Sequence, residues 1–569
     1  MCYPFSMSEK LPNWNLESIY PSIDCDELNN DFAAYEAACS FINENLEKSP
    51  LKELLAKLNE VYELSSNLSS YAGCRFSTDC TSEENLKLQA RVDELFLIGD
   101  ECEKRFYQEL VNRKEEIESE ELKEYRYILN EMLDGTKHLM SLKEEVLASD
   151  LLRSGGDAFG RLQDSLCASI EKDGETLISL RAKAMDSDRA VRKDAFIKEK
   201  ALLKEHEIAY SFALNGVKGT VLTLEKKRGW SSPLEHSASV ARISMEGLNT
   251  LIKVLEKNLP FWRDYLNTKA KLLGLEKMSF YDLFAPVGKS EKTYTFSEAK
   301  ELVVNCYSAF NKEMGEFAKK AFENDWIDAP ICKGKVGGAY DTSFYKSKES
   351  RVLCNYEGSY ESVSTLAHEL GHAYHDSVVM KKPMLLGNYT MPVAETASIF
   401  GETLLFNYCF DKMSKEEQLA VLESTLSSGC QVCVDILSRF YFERSAFEER
   451  KSGDVTPQKL CELMLKAQED TYGDALEEKH EYMWAVKSHY YSTIFSFYNY
   501  PYAFGQLFAL SLYHANITPS EYIKVLENTG CMSVDDCAKA AGFDITDEAF
   551  WQAGVDVMKH YLDLMKQCM

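Results

Sequence analysis

The 569-residue chain has no uninterrupted apolar run of about eighteen residues, so nothing in it reads as a membrane-spanning helix. Positive charge is in deficit: 64 Lys and Arg stand against 91 Asp and Glu, for a net charge of −27. Nucleic-acid binding needs a basic footprint, and none is visible. The acidic excess fits a soluble, self-repelling protein. Residues Met1 to Met7 lack a basic stretch followed by a long apolar core, the mark of a secretory signal. Cysteine is plentiful, but its 17 copies are scattered and odd in number. Free thiols without a signal fit a reducing cytoplasm rather than a disulfide framework. There are no repeats and no low-complexity linker, and strand signals are few. The chain therefore reads as mainly α. Histidine is also scarce, with ten copies, and three of them fall between His368 and His375.

That cluster carries the chemistry. His368-Glu369-Leu370-Gly371-His372 sits in a stretch, Ser364 to Val378, that reads as helix, with Leu366, Ala367, Leu370 and Ala373 giving an apolar side. Positions i and i+4 of a helix share a face, so both imidazoles can reach one metal ion. Glu369 is placed to take a proton from a water on that metal. A catalytic zinc takes three protein ligands and keeps one open position. In one class the third ligand is the last His of HExxHxxGxxH, but here His375 replaces the Gly and Val378 the His. The other solution is a Glu on a second helix. Glu395 and Glu402, seven apart and so on one helix face, lie in Pro392 to Glu402 among the small residues Ala394, Ala397 and Ser398. Glu395 is taken as the third ligand. Glu402 is taken as a group beside the centre that holds a ligand imidazole in its metal-binding tautomer, with a solvated carboxylate as the alternative. His375 reads equally as a neighbour of the metal or substrate and as a surface histidine.

Thr365 to Ala373 followed by Glu395-Thr396-Ala397-Ser398 resembles the thimet oligopeptidase superfamily, and most closely its bacterial oligoendopeptidase F branch. Trp14-Asn15-Leu16 with Ile19 to Ser22, Tyr281 to Pro286, Gly337 to Tyr340, Asn355-Tyr356 and His489 to Gly505 resemble further signatures of that branch, in its order. The resemblance implies a two-part helical fold with a deep substrate cleft and a small sheet beside the HExxH helix. It implies a zinc-dependent oligoendopeptidase with one zinc per chain, acting on short unstructured peptides in the cytoplasm. Peptides are then the expected partners; membrane and nucleic acid are not, and the oligomeric state stays open. The nearest rival is a dipeptidyl carboxypeptidase of the same superfamily, which needs a positive group for the terminal carboxylate.

The same resemblance places His489 and a Tyr of the aromatic segment at the substrate. Tyr502 is chosen and Tyr498 comes next, with core packing as the alternative for each. Phenols and imidazoles suit the task, since amide hydrolysis builds negative charge on the carbonyl oxygen. Gly338, Ala339, Tyr340 and Asn355 are the expected substrate-binding residues. Ser350 to Tyr356 alternates like a short strand, and Val352 to Tyr356 reads either as a peptide-binding edge or as an internal strand. Gly505 suggests a close backbone approach or a flexible point.

Elsewhere, apolar residues recur at helical spacing from Asn29 to Leu68. Thr81-Ser82-Glu83-Glu84 reads as a capped helix start, and an amphipathic stretch runs from Ser187 to Arg228. A helical domain over 1–195, walling the cleft, and a catalytic domain over 196–569 are expected. Cys430-Gln431-Val432-Cys433 reads either as a redox pair or as two packed thiols on a helix.

Overall fold

Helices dominate because apolar residues recur every three to four positions and hydroxyl or carboxylate caps start the runs. The computed structural model describes residues 9–288 and 292–569, so the Met1 to Met7 segment lies outside the described residues. Helices α1 (Asp26–Asn45) and α2 (Leu51–Thr78) divide the Asn29 to Leu68 stretch at Pro50. Ser82 caps α3 (Glu83–Leu110), its hydroxyl accepting from Asn85 N. The stretch from Ser187 to Arg228 is two helices, α4 (Arg189–Glu205) and α5 (Glu207–Lys227), separated at His206. Neither Pro nor Gly marks that break. Among the described residues no helix is long and apolar enough to cross a membrane.

By contacts the chain forms two compact units, each assembled from separated segments. The first comprises Met1–Thr136, Glu291–Lys412 and Asn516–Phe543; the second comprises Lys137–Ser290, Met413–Ala515 and Asp544–Met569. In the first unit α1 to α3 pack around a core that includes Trp14, Phe32, Leu54, Leu58, Val92 and Phe106.

The short hairpin of β1 (Glu171–Lys172) and β2 (Glu175–Thr176) belongs to the second unit. A three-stranded sheet belongs to the first: β3 (Ile327–Asp328), β4 (Tyr340–Phe344) and β5 (Glu349–Leu353), in the order β3-β5-β4. Strand β5 pairs parallel with β3 and antiparallel with β4. It is the central strand, and beyond it the amides of Cys354 and Tyr356 donate to Asp328 O and Ala329 O. Val352 and Leu353 are therefore internal, paired on both sides, and Cys354 and Tyr356 already use their amides. The edge lies at β4, where Ser70 Oγ on α2 donates to Ser343 O at 3.0 Å.

Four further helices frame the chemistry of the first unit. They are α6 (Phe296–Phe310), α7 (Tyr360–Val379), α8 (Met391–Phe410) and, near the end of the chain, the helix Pro519–Asn528. The second unit is built from α4, α5, α9 (Ile436–Arg450), α10 (Tyr500–His514) and α11 (Glu548–Cys568), among others. Cys430 and Cys433 are buried unbonded thiols at a π-helical turn, Gln431–Asp435, that leads into α9. Burial raises both thiol pKa values, which favours the packed reading over the redox one. Gly505 is buried inside α10, so it belongs to a helix rather than a loop.

Candidate metal centre

Helix α7 starts at Tyr360, four residues earlier than the sequence suggests, because Ser359 caps it by accepting from Ser362 N at 3.1 Å. Its buried residues include Val363, Leu366, Ala367, Leu370 and Ala373, and the helix packs against α8. The crossing is close because it is built on glycine. A Cβ on Gly371 would stand 2.5 Å from Ala397 O, and one on Gly401 would stand 2.9 Å from Ala367 O and 2.3 Å from the Tyr307 hydroxyl. Tyr307, on α6, donates to Ala367 O and fastens α6 to the metal helix. Ala397 and Ser398 were the small residues expected at this contact; the two glycines and Tyr307 needed the structure.

That crossing brings three candidate ligands together. His368 Nε2 and His372 Nε2 lie 3.2 Å apart. Glu395 Oε2 is 3.4 Å from the first and 3.6 Å from the second. Zinc–ligand bonds of about 2.0–2.1 Å give tetrahedral edges of about 3.3 Å, so this two-nitrogen, one-oxygen set fits a tetrahedral divalent ion with one position left for substrate or water. Among the described residues this is the one such group of three His, Cys, Asp or Glu. Ser398 Oγ donates to Glu395 Oε2 at 2.9 Å and steers that carboxylate. Glu402 Oε1 accepts from His368 Nδ1, which leaves Nε2 as the ring's free lone pair towards the metal position. This is the tautomer-fixing contact expected for Glu402.

The electrostatics follow from three carboxylates and two imidazoles in a confined space. Burial acts to lower the pKa of His368. The Glu402 hydrogen bond and charge, with Glu369 and Glu395, outweigh it and carry the imidazole up to about 9. Burial acts to raise Glu395, but the hydrogen bond and charge of His372, with His368, hold it down to about 2. Glu369 is only 6 % exposed, and burial lifts its carboxyl above the ordinary range despite the two imidazoles. His375 is fully buried, which closes the surface alternative. Its ring stacks on Tyr389 at 4.0 Å, and its Nε2 pairs with Thr529 Oγ1 at 2.8 Å. Burial first, and then His372, pushes its pKa down to about 3.

The other candidate residues of this unit fall near the sheet. Gly338 has φ +82° and is exposed, and Asn355 Nδ2 donates to Gly338 O at 2.9 Å and to Val336 O at 3.1 Å. Asn355 thus shapes the loop that carries Gly338 and Ala339. Tyr340 opens β4 and turns its ring edge-on to Trp14 at 6.3 Å, joining two signature segments in one core.

The aromatic segment belongs to the second unit. His489 lies on a short 3-10 turn, Ser488–Tyr491. Its ring is parallel to Tyr498 at 6.3 Å, and Tyr502 OH donates to Tyr498 OH at 3.4 Å. The structure thus joins His489, Tyr498 and Tyr502 in a row. Burial first, and then Arg439, Lys487 and Lys218, pushes the His489 pKa down to about 2, so the ring is neutral and has one N–H to give.

A helix-borne His-Glu-x-x-His pair completed by a glutamate from a second helix defines a metallohydrolase of the peptidase kind. The family model described as "Peptidase family M3" matches residues 183–557, and "Oligopeptidase F" matches 113–171. The chain is similar to Oligopeptidase PepF of Bacillus subtilis, 26 % identical over 97 % of this chain and 87 % of that one. Group B oligopeptidase PepB of Streptococcus agalactiae is 24 % identical over 90 % of this chain and 87 % of its own. Among solved structures, a putative peptidase from Chlamydophila abortus has the same fold, with a TM-score of 0.85 at 21 % identity over 98 % of both chains. PZ peptidase A follows, with a TM-score of 0.71 at 19 % identity over 98 % of both chains. The chain belongs to peptidase family M3, in its oligoendopeptidase F branch. It is a metalloendopeptidase with peptides as substrates.

Proposed function

We propose that this enzyme is a zinc-dependent oligoendopeptidase that cuts internal bonds of short, unstructured peptides in the cytoplasm, with Glu369 as general base. The observation that carries the reading is the trio His368, His372 and Glu395 at tetrahedral spacing, with Glu369 buried on the same helix turn. A single zinc held by that trio would polarise the scissile carbonyl and bring the pKa of water towards neutrality.

The rest of the chemistry falls to the chain's own side chains. A Glu369 carboxylate oxygen takes the proton from the attacking water and delivers it to the leaving nitrogen. Its raised pKa suits a group that must keep the proton between those two events. Glu402 holds the His368 ring in place, and Ser398 holds Glu395. His489 and Tyr502, with Tyr498 beside them, donate hydrogen bonds to the carbonyl oxygen as it gains charge. Gly338, Ala339, Tyr340 and Asn355 line the path of the peptide backbone.

The test is mass spectrometry of a peptide of about ten residues, acetylated and amidated, after incubation with zinc-loaded enzyme. Internal fragments from the wild type and none from Glu369→Gln are expected. An intact blocked peptide, together with dipeptides released from its free-carboxylate form, would replace the proposal with the dipeptidyl carboxypeptidase reading.

A further inference from the structure

The third segment of the first unit, Asn516–Phe543, packs against the metal helix. After the helix Pro519–Asn528 the chain turns through Thr529, Gly530 and Cys531. Thr529 pairs with His375. Gly530 lies against the loop that follows α7, where a Cβ on it would stand 2.5 Å from Leu386 O. Cys531 meets Lys382. That lysine sits three residues past the end of α7, in a turn closed by its own amide, which donates to Val379 O at 2.9 Å. Its ammonium donates to Glu527 O at 2.6 Å and to Cys531 Sγ at 3.4 Å.

A thiol reacts as its thiolate, and a cation beside the sulfur favours that form. Here the cation is fixed, since the Glu527 carbonyl holds the ammonium within reach of the sulfur. The acceptors near the thiol are neutral and distant: Asn528 O at 3.7 Å, Asn528 Oδ1 at 3.8 Å and Glu527 O at 4.0 Å. Access sets this thiol apart as well. Cys39, Cys74, Cys102 and Cys537 of the same unit are buried, whereas Cys531 and Lys382 are both half-buried. Lys382 also lines an open cavity of about 720 Å³ with Ser377, Met380 and Lys381. A nucleophilic sulfur, a primary amine in contact with it and a way in for small solutes therefore occur together.

We infer that Lys382 and Cys531 form an oxidative cross-linking site, where hydrogen peroxide joins Sγ to Nζ. The sulfur of the thiolate–ammonium pair attacks one peroxide oxygen. An S–O bond forms, the O–O bond breaks, and a sulfenic acid results. The hydroxide released takes a proton from the ammonium and leaves as water. The freed amine then attacks the sulfur. An S–N bond forms, the S–O bond breaks, and the second hydroxide takes a nitrogen proton and leaves as water. One peroxide is reduced, the sulfur gives up two electrons, and the product is a sulfenamide. Two small thiols reverse the link and depart as a disulfide. The link stops the sulfur short of the sulfinic acid, which thiols do not reverse. It also ties the end of α7 to the segment that carries Thr529, closing a loop across 149 positions of the chain.

The experiment treats the full-length protein with hydrogen peroxide, blocks the remaining thiols by alkylation, and maps proteolytic fragments by mass spectrometry with and without dithiothreitol. In the wild type a fragment pair joining Lys382 to Cys531 is expected, lighter by two hydrogens than the sum of its parts and separated by dithiothreitol. Lys382→Arg keeps the cation beside the sulfur but removes the primary amine. It is expected to lose the joined pair and to carry Cys531 through to the sulfinic acid. Cys531→Ser is expected to lose the joined pair with no new product at Lys382. A wild type whose Cys531 reaches the sulfinic acid as fast as that of Lys382→Arg, with no joined fragment, overturns the inference. So does a Cys531 joined to another thiol in place of Lys382, or one that peroxide leaves untouched. The wild-type result needs no variant, so a folding failure cannot hide it. The readout is mass, so it stands whether or not the enzyme cuts peptides.

Discussion

The crossing of α7 and α8 and the segment from Lys487 to Tyr502 both hold polar groups away from water, yet they are built in opposite ways. In the first, each ligand sits on a regular helix, and two glycines set the distance between the helices. Spacing along the chain becomes geometry directly. In the second, the donors lie on a short 3-10 turn, a stretch where Phe497 takes φ +55°, and the start of α10. Position there depends on buried pairs such as Lys218 with Glu443. The contrast teaches that a site carried by helical periodicity tolerates change away from its contacts, whereas one carried by irregular backbone depends on every ion pair beneath it.

Five substitutions sharpen the contrast. The largest effect is expected from Glu369→Gln, which removes the general base and should lower turnover by about 10⁴-fold with zinc retained, as metal analysis and kinetics on one preparation would show. Full activity in a zinc-loaded variant would exclude Glu369 as base. Next come His489→Ala and Tyr502→Phe, each expected to reduce kcat by about 10²- to 10³-fold with little change in KM, the cost of one donor to a developing oxyanion. A loss confined to KM would move that residue from the reacting carbonyl to substrate binding. Gly371→Ala should cost about 2 kcal/mol in denaturant unfolding, because its Cβ meets Ala397 O at 2.5 Å and backbone must shift. An equal cost at Gly135, an exposed helical glycine where nothing stands within 4 Å, would show that helix crossing is not the cause.

The smallest effect is expected from Glu402→Gln, with zinc affinity lower by about 10- to 100-fold. Proton release sharpens this last prediction. In the metal-free protein the folded-state pKa of His368 is raised to about 9, above its ordinary 6.5. The stabilisation that its proton brings is complete below about 6.5 and lost as pH rises through 9. Metal must displace that proton, so apparent affinity falls as pH drops below about 9. Calorimetry of zinc binding near pH 7.5, in buffers of different ionisation enthalpy, should count about one proton released by the wild type and fewer by Glu402→Gln.

What could be read from the sequence follows the same division. The grouping of His368, His372 and Glu395 and the contact of Glu402 with His368 were legible because i, i+4 and i, i+7 spacing on helices is a fixed geometry. The start of α3 was legible because Ser82 is followed by acidic residues and an apolar run. The break at His206 was not, since no proline or glycine announces it and packing decides it. The central place of β5 was hidden because pairing partners come from distant segments, Ile327–Asp328 and Tyr340–Phe344.

The partnership of His375 with Thr529 bears on the order in which this protein can mature. The first unit is not finished when the ribosome has passed Glu395, because its third segment, Asn516–Phe543, is made only after most of the second unit. A nascent chain released before that segment therefore carries every metal ligand but not the wall behind the metal helix. On the proposed zinc reading, stable metal loading is expected only once that segment has been made, and truncated products should bind zinc loosely.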